Sequence, residues 1–399
     1  MKKVFIQTIY KCCENSSFLS TTLEEFFNNN YQIVSDINEA DLLIINGCSF
    51  VKECRDETEK YVKKYLDFAK NRDSQVVLTG CSVNAEKDKY KDITGLYLID
   101  YNHLSLFNKL ISKRKTKSFE LNFCQISANH SRIIVPDAYY IKIADGCVNN
   151  CSYCIIKKSK GKLKSRYIND ITNDLKVILK LNHSLDPHKI ILLADDCGSY
   201  GFDIDTNIVN LLKKLIDIPG EFKLYLHYFF PGLLIQFFDQ LKEIFNSGKI
   251  AFINIPIQSA DQKILRKMNR NYSINKITEH IKFIKKNYPN IILHTHFIVN
   301  FPGETKIAFS KSLEAADYFN RSIFFNYSSP AYNYPLHNCH TNKSTDFNRK
   351  IDLIKKKQSD NPFKYHFYDF DKDFKEEKTI FVDKDICLAL EDKNKYEKK

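Results

Sequence analysis

The residues best able to do chemistry lie in one run of ten, Asp145-Gly-Cys-Val-Asn-Asn-Cys-Ser-Tyr-Cys154. Cys147, Cys151 and Cys154 stand in it with the spacing C-x3-C-x2-C. Three thiolates this close can each take one iron of a four-iron cluster and leave the fourth iron open to a small molecule. Zinc is the competing ligand. Zinc ribbons, however, pair two C-x2-C arms, and the chain has no second arm.

Three further cysteines each close an apolar run: Val4 to Cys12, Ala40 to Cys48, and Gln75 to Cys81. Continuous runs rich in β-branched residues read as strands buried on both faces. Helix-like stretches near 16–29 and 52–71 separate them, so the pattern predicts a doubly wound parallel sheet. The carboxyl ends of such strands form the binding edge, which brings Cys12, Cys48 and Cys81 to one rim as a second three-thiolate site. Ordinary core cysteines are the alternative. Cys13 is adjacent to Cys12, and the residues alone leave open which of the two is the ligand.

These runs resemble known patterns. The loop spacing, with Tyr153 before the last cysteine, is similar to the signature of radical S-adenosylmethionine (SAM) enzymes. The whole set resembles the MiaB/RimO/MtaB methylthiotransferase family. Its T-Y-G-C-x-x-N opening is matched by Thr8-Ile-Tyr-Lys-Cys-Cys-Glu-Asn15, which selects Cys12 over Cys13. Asn46-Gly-Cys48 and Thr79-Gly-Cys81 match its next two cysteine elements. Lys160-Gly161 with Ser165-Arg166, Ile255-Pro-Ile-Gln258, Leu265 to Arg270, and Phe301-Pro-Gly-Glu304 follow in family order. The resemblance runs from residue 1 to about 335.

It implies two [4Fe–4S] clusters. One, on Cys147, Cys151 and Cys154, would bind SAM and generate the radical that removes hydrogen from an unactivated C–H bond. The other would supply sulfur, and a second SAM the methyl group, so that C–H becomes C–SCH3. No side chain can supply a carbon radical, so the cofactor must. An external donor such as flavodoxin or ferredoxin would deliver the electron.

The expected organisation is an α/β chain. It has an N-terminal cluster domain (1–125), a partial (β/α)6 radical SAM barrel (136–335) and a short C-terminal extension (336–399). Barrel strands are expected at 139–144, 189–194, 222–226, 251–255, 291–299 and 323–327. Active groups belong at their C-terminal mouths. There Asp195 or Asp196 could bind a ribose hydroxyl or substrate, with Asp196 the better candidate. Gln258 could make a polar SAM contact, and Arg166 could grip the SAM carboxylate as a bidentate donor. Turn acids and surface arginines are the bland readings of these residues. His294 and His296 alternate on one strand and read as satisfied core histidines.

The chain has 399 residues, 43% of them hydrophobic and twelve of them cysteines. No apolar run is long enough for a transmembrane helix, and the start is too short for a signal-peptide core. Ligation in a reducing cytoplasm is therefore expected rather than disulfides, with no membrane partner. Cys13, Cys54, Cys124, Cys197, Cys339 and Cys387 fall outside the two proposed sites.

Three departures from the family pattern bear on substrate. The glycine of G-F-P-G-E is Asn300, and the arginine expected after Tyr327-Ser328 is absent. No glycine follows Gly303, which argues against a complete five-stranded TRAM barrel. A net charge of +12 suits tRNA, but also an acidic peptide. The missing RNA-contacting module tilts the expectation to a protein or peptide side chain, with an N6-modified tRNA adenosine as the alternative. Two other classes remain: a radical SAM enzyme whose second cluster only transfers electrons, and a binding protein that has lost the chemistry. Retention of all six proposed ligands argues against the last.

Overall fold

Alternating residues of the first apolar runs face opposite sides of a sheet, and both sides are covered. The computed structural model describes residues 2–11, 13–110, 118–126, 130, 138–181, 188–329 and 345–368. Strands β1 (Lys3–Thr8), β2 (Gln32–Ile33), β3 (Leu42–Gly47), β4 (Gln75–Gly80) and β5 (Leu96–Leu98) form one parallel sheet in the order β2-β1-β3-β4-β5. Helix α1 (Glu14–Asn28) sets Leu19, Leu23 and Phe27 against Leu42 and Ile44 on one face. Helix α2 (Lys52–Ala69) sets Val62 and Tyr65 against Leu43 and Ile45 on the other. The strand order reverses between β1 and β3, the crevice where such sheets bind ligands. Short helices α3 (Ser82–Ala85) and α4 (Lys87–Tyr90) follow β4.

The second sheet has eight strands. Antiparallel β6 (Phe123–Cys124) edges β7 (Ala138–Lys142), and a small hairpin, β8 (Ala144–Asp145) with β9 (Lys164–Ser165), frames helix α5 (Ile156–Lys160). Helix α6 (Ile168–Lys180) leads to β10 (His188–Leu193), α7 (Ile208–Ile216) to β11 (Phe222–Leu226), and α8 (Pro231–Phe245) to β12 (Ile250–Asn254). After α9 (Gln262–Lys267) and α10 (Ile274–Asn287) come β13 (Ile292–Val299), α11 (Lys306–Ala315) and β14 (Arg321–Asn326). The six strands β7 and β10 to β14 run parallel in chain order, the expected partial barrel. The helices form by ordinary amphipathic logic. Ile171, Leu175 and Ile178 line α6, and Ile277, Ile281 and Ile284 line α10, all buried. Helix α7, between β10 and β11, is an element the sequence reading did not single out.

The C-terminal region adds one thing the sequence did not reveal. Helix α12 (Thr345–Asp360) falls in the expected extension, and strand β15 (Tyr365–Tyr368) follows it and pairs in parallel with β14. Part of the supposed extension is thus a further helix–strand turn of the second sheet. Residues 330–344 and 369–399, most of the stretch expected to lack a TRAM barrel, lie outside the described residues. Among the described residues no helix is long and apolar enough to cross a membrane.

Helix α12 is latched by a buried ion pair, Lys350 Nζ to Glu304 Oε2 at 2.8 Å, with both side chains under a tenth exposed. Burial pushes the Glu304 carboxyl up, and Lys350 opposes the shift. Removing one partner strands the other's charge, at about 3–5 kcal/mol. Lys350→Ala is expected to lower the urea midpoint by a corresponding amount. An unchanged midpoint would mean the latch contributes nothing.

The two sheets interlock. Tyr140, Ile191, Tyr225, Phe252 and Ile292 point into the partial barrel, and Phe18 of α1 packs among them. Ile323 and Tyr368 of β14 and β15 in turn pack against Tyr10 and the Cys48 region.

Candidate active site

The loop carrying Cys147, Cys151 and Cys154 leaves hairpin β8–β9 at the carboxyl end of the barrel sheet. Gly146 starts it with φ +78°, and a Cβ there would lie 2.7 Å from the Lys162 carbonyl oxygen, so only glycine fits. Its N–H donates to Asp195 Oδ2 at 2.8 Å. Asn149 donates from its backbone N (3.4 Å) and Nδ2 (3.2 Å) to Cys147 Sγ, and Arg270 Nη1 donates to Cys151 Sγ at 3.4 Å. Cys154 is the most exposed of the three. Burial pushes the Cys147 thiol up to about 12. Metal binding at such cysteines is coupled to loss of the thiol proton.

At the other sheet, Cys48 and Cys81 directly follow β3 and β4 at the carboxyl edge. Gly80, at φ +85°, lets the two strand ends touch: a Cβ would lie 2.4 Å from Asn46 Oδ1 and 2.5 Å from the Gly47 oxygen. Phe50 N donates to Cys48 Sγ at 3.5 Å. Cys12 lies outside the described residues. Its neighbour Cys13 stands at the start of α1, and burial first, then the nearness of Cys48 and Cys81, pushes its thiol up. Burial raises the Cys81 thiol to about 12, and Lys160 pulls it back. Cys54, Cys124 and Cys197 are buried, as small apolar side chains commonly are.

The two cysteine sites are neighbours. Helix α3, which follows Cys81, packs on α5, which follows Cys154, and Asn84 Nδ2 donates to the Ser159 oxygen at 3.2 Å. Beneath them lies a buried set of charges. Lys160 Nζ is 2.9 Å from Asp145 Oδ1 and 3.1 Å from Asp195 Oδ1, and Lys142 Nζ is 2.6 Å from Asp145 Oδ1. Asn15 of α1 joins it, accepting from Lys142 and donating to Asp195 at 3.4 Å. Its neighbour Glu14 accepts from Tyr228 OH at 2.8 Å and pairs with His227 Nδ1 at 3.1 Å, and these contacts outweigh burial to hold its carboxyl below the usual range. Sequence reading missed Glu14, Lys142 and His227, and nothing in their local patterns marks them.

Three consecutive strand ends at the barrel mouth carry non-glycine residues in the left-handed region: Tyr228 (φ 58°), Gln258 (φ 66°) and Asn300 (φ 61°). Such conformations cost about 1–3 kcal/mol each and gather at functional sites. Asn300 stands where the family has glycine. Asparagine tolerates this conformation, which explains how the glycine was lost without losing the turn. Gln258 is bonded on both sides to β13, through its N–H to the His296 oxygen and its oxygen from Ile298 N, while its buried Oε1 has no hydrogen-bond partner. The Gln258 side-chain oxygen is thus an acceptor at this mouth that no described protein group uses.

The other expected cofactor residues are more occupied. Asp196 Oδ1 accepts from Gly198 N and Phe230 N, and Oδ2 from Asn149 Nδ2 at 2.8 Å, while Cys147 Sγ sits 3.8 Å away. It stabilises the loop that carries Cys147. Arg166 donates to the Lys142 oxygen (2.7 Å), the Asn122 oxygen (3.2 Å) and Asp174 Oδ2 (2.7 Å), so its guanidinium ties strands to α6. Tyr153 OH accepts from Arg270 Nη1 at 3.2 Å. Arg270 is buried and also donates to the Pro256 oxygen at 2.6 Å. It was legible only as the last residue of Leu265–Arg270.

His294 is buried and His296 half-buried, and the expectation of satisfied core histidines fails for His294. Neither of its ring nitrogens has a hydrogen-bond partner among the described residues. Burial lowers His296 and His366 from 6.5 to about 4. Both stay neutral in the folded chain, whereas the unfolded chain takes up protons below about 6.5. Stability is therefore full above that value and falls as pH drops from about 6.5 to about 4, by up to about 3 kcal/mol per histidine. Denaturant midpoints across that window are expected to fall, and to fall less for His296→Gln. A flat profile would contradict this.

A Radical SAM superfamily model matches residues 141–316, and the model of uncharacterized protein family UPF0004 matches residues 3–99. A probable threonylcarbamoyladenosine tRNA methylthiotransferase of Pyrococcus abyssi is 32% identical over 327 residues, 79% of this chain and 73% of that one. The ribosomal protein uS12 methylthiotransferase RimO of Clostridium botulinum is 30% identical over 328 residues, 79% of this chain and 72% of that one. The chain belongs to the radical SAM methylthiotransferase family. It is an enzyme of that class, and the family implies SAM and a [4Fe–4S] cluster. Among solved structures, the radical S-adenosylmethionine methyltransferase TsrM of Kitasatospora setae shares the fold. Its TM-score is 0.53 at 13% identity, covering 81% of this chain and 73% of that one. The donor set at Cys147, Cys151 and Cys154 fits the methylthiotransferase cluster: three thiols on one loop, with N–H donors aimed at two of the sulfurs.

Proposed function

We propose that the chain is a two-cluster methylthiotransferase. It would convert C–H to C–SCH3 on a tRNA adenosine modified at N6, using two [4Fe–4S] clusters and two molecules of SAM. The observation that carries this reading is the packing of α3 on α5, which sets the loop after β4 beside the loop of Cys147, Cys151 and Cys154. Cys147, Cys151 and Cys154 would hold the SAM-binding cluster. Cys48 and Cys81, with Cys12 on the family match or Cys13 on its neighbourhood, would hold the second. When bound, these groups would supply a carbon radical and transferable sulfur.

The chain's own residues then bind and orient. Gln258 Oε1 offers an acceptor at the mouth, and Tyr153, fixed by Arg270, borders the same loop. Asp196 holds the Cys147 loop, and Arg166 supports it from behind. Phe18 and the barrel's apolar lining exclude water below the site. A flavodoxin- or ferredoxin-like donor in a reducing cytoplasm completes the scheme.

The tRNA substrate is favoured by the relative at 32% identity, and the net charge of +12 is compatible with it. The expectation of a protein side chain rested on an incomplete C-terminal module, and the RimO relative keeps it as the competing outcome. Mass spectrometry of tRNA nucleosides and of ribosomal protein uS12 from a deletion strain separates the two. Loss of a methylthioadenosine, restored by wild type but not by Cys81→Ala, is the expected result. Loss of a methylthio group from the protein instead moves the substrate class. A desaturated or cross-linked product in place of a methylthio group would reduce the second cluster to electron transfer.

A further inference from the structure

The buried charges between the two cysteine sites are more than a domain clamp. Lys160 belongs to α5, the helix immediately after Cys154, yet its ammonium points toward the other sheet. It sits 4.5 Å from the centre of the Tyr101 ring, beyond β5 of the N-terminal sheet. Its side chain is fully buried, and so nearly is that of Asp195. Ser159, the residue before Lys160, accepts from Asn84 of the helix that starts directly after Cys81, and Asp195 lies 3.1 Å from the Lys160 ammonium, which sets the pair beside the rim of Cys48 and Cys81. Lys142 and Asp145 complete a set of two cations and two anions whose members are held at 2.6–3.1 Å.

A charge excluded from water acts far more strongly on its neighbours than one at the surface. Fixed charges and hydrogen bonds near a cluster are a recognised lever on its reduction potential. The Lys160 ammonium balances the buried Asp145 and Asp195 carboxylates, so its charge is held at a fixed place. A buried ion pair is often replaceable by apolar residues without loss of stability.

We propose that Lys160 and Asp195 form an opposed pair of positioning residues that sets the reduction potential of the cluster on Cys48 and Cys81. This rests on the two-cluster reading. Lys160 stabilises the reduced, more negative state and raises the potential. Asp195 opposes it and also fixes the Gly146 N–H at the start of the other loop. The reduction equilibrium of the second cluster is thereby tied to side chains whose placement depends on the radical SAM loop.

The test uses the full chain with Cys147, Cys151 and Cys154 all changed to Ala, so that only the second cluster can form. Its midpoint is measured by a potentiometric titration followed by electron paramagnetic resonance, in that background and with Lys160→Met, Lys160→Arg or Asp195→Asn added. Lys160→Met is expected to make reduction at least tenfold less favourable, a downward shift of about 59 mV for one electron. Asp195→Asn is expected to shift the midpoint upward, and Lys160→Arg to stay near the parent. A merely structural role would move no potential in opposite directions. Equal potentials in Lys160→Met and parent, with cluster content unchanged, overturn the proposal. Should Lys160→Met fail to fold, Lys160→Arg and Asp195→Asn still decide it: no upward shift in Asp195→Asn refutes the pair. No cluster in the parent itself would refute instead the two-cluster reading.

Discussion

Reconstituted without oxygen, the wild-type chain is expected to bind about eight irons and about eight sulfides, and the Cys147/Cys151/Cys154→Ala variant about four of each. The number follows from where the thiols sit. Cys48 and Cys81 end strands of the first sheet, and the other three cysteines lie on a loop of the second. Each sheet has its own core, so removing one set of thiols leaves the other set's support in place. Cys48→Ala with Cys81→Ala is expected to lose the complementary four. The same measurement decides between Cys12 and Cys13. The variant that sheds about four irons names the third ligand, and retention in both would mean either thiol suffices. About four irons in wild type, falling to none in the triple variant, would leave the rim of the first sheet without a cluster. Sulfur insertion through it would then be abandoned.

The strands were legible because burial on both faces writes itself into the sequence as unbroken apolar runs. β3 and β4 show it, and β11 begins and ends at the expected residues, Phe222–Leu226. Helices with a clean 3.6-residue stripe are equally plain, as in α10, where Ile277, Ile281 and Ile284 recur on the buried face. β15 was not legible. Four residues, Tyr-His-Phe-Tyr, between polar neighbours carry too few positions to declare a period, and their place in the sheet depends on β14. At the site, the cysteines were readable because their spacing is local. Glu14, Lys142 and His227 were not, since their partners lie up to 214 residues away in the chain, and Asn15 and Lys160 showed as motif positions but not as members of a charge set. A lysine at 142 reads as one more charge in a strand until the fold puts Asp145 and Asn15 against it. Gln258 stood between these cases: its motif was visible, but its left-handed backbone and unpaired carbonyl belong to the structure alone.

Gly146→Ala is the single substitution expected to cost most at the site. Two penalties combine there. A non-glycine residue at φ +78° costs on the order of 1 kcal/mol. The added Cβ also meets backbone, the Lys162 oxygen at 2.7 Å and its carbonyl carbon at 2.9 Å, and backbone cannot rotate away as a side chain can. Relief requires hairpin β8–β9 to open, which breaks the Gly146 N–H bond to Asp195 and moves Cys147 away from Asn149. Iron is expected to fall from about eight to about four, with the cluster of the first sheet kept and activity lost. Gly161→Ala is the control. Its φ is +85°, but the nearest atom to an added Cβ is 3.8 Å away on Asn102, so the conformational penalty acts alone. Its backbone lies in a region that glycine alone adopts readily (φ +85°, ψ −150°), so that variant is expected to lose about 1–3 kcal/mol of stability and to keep all its iron. If Gly146→Ala also kept its iron, the loop would not depend on this turn, and close backbone approach would not be what positions the three thiols.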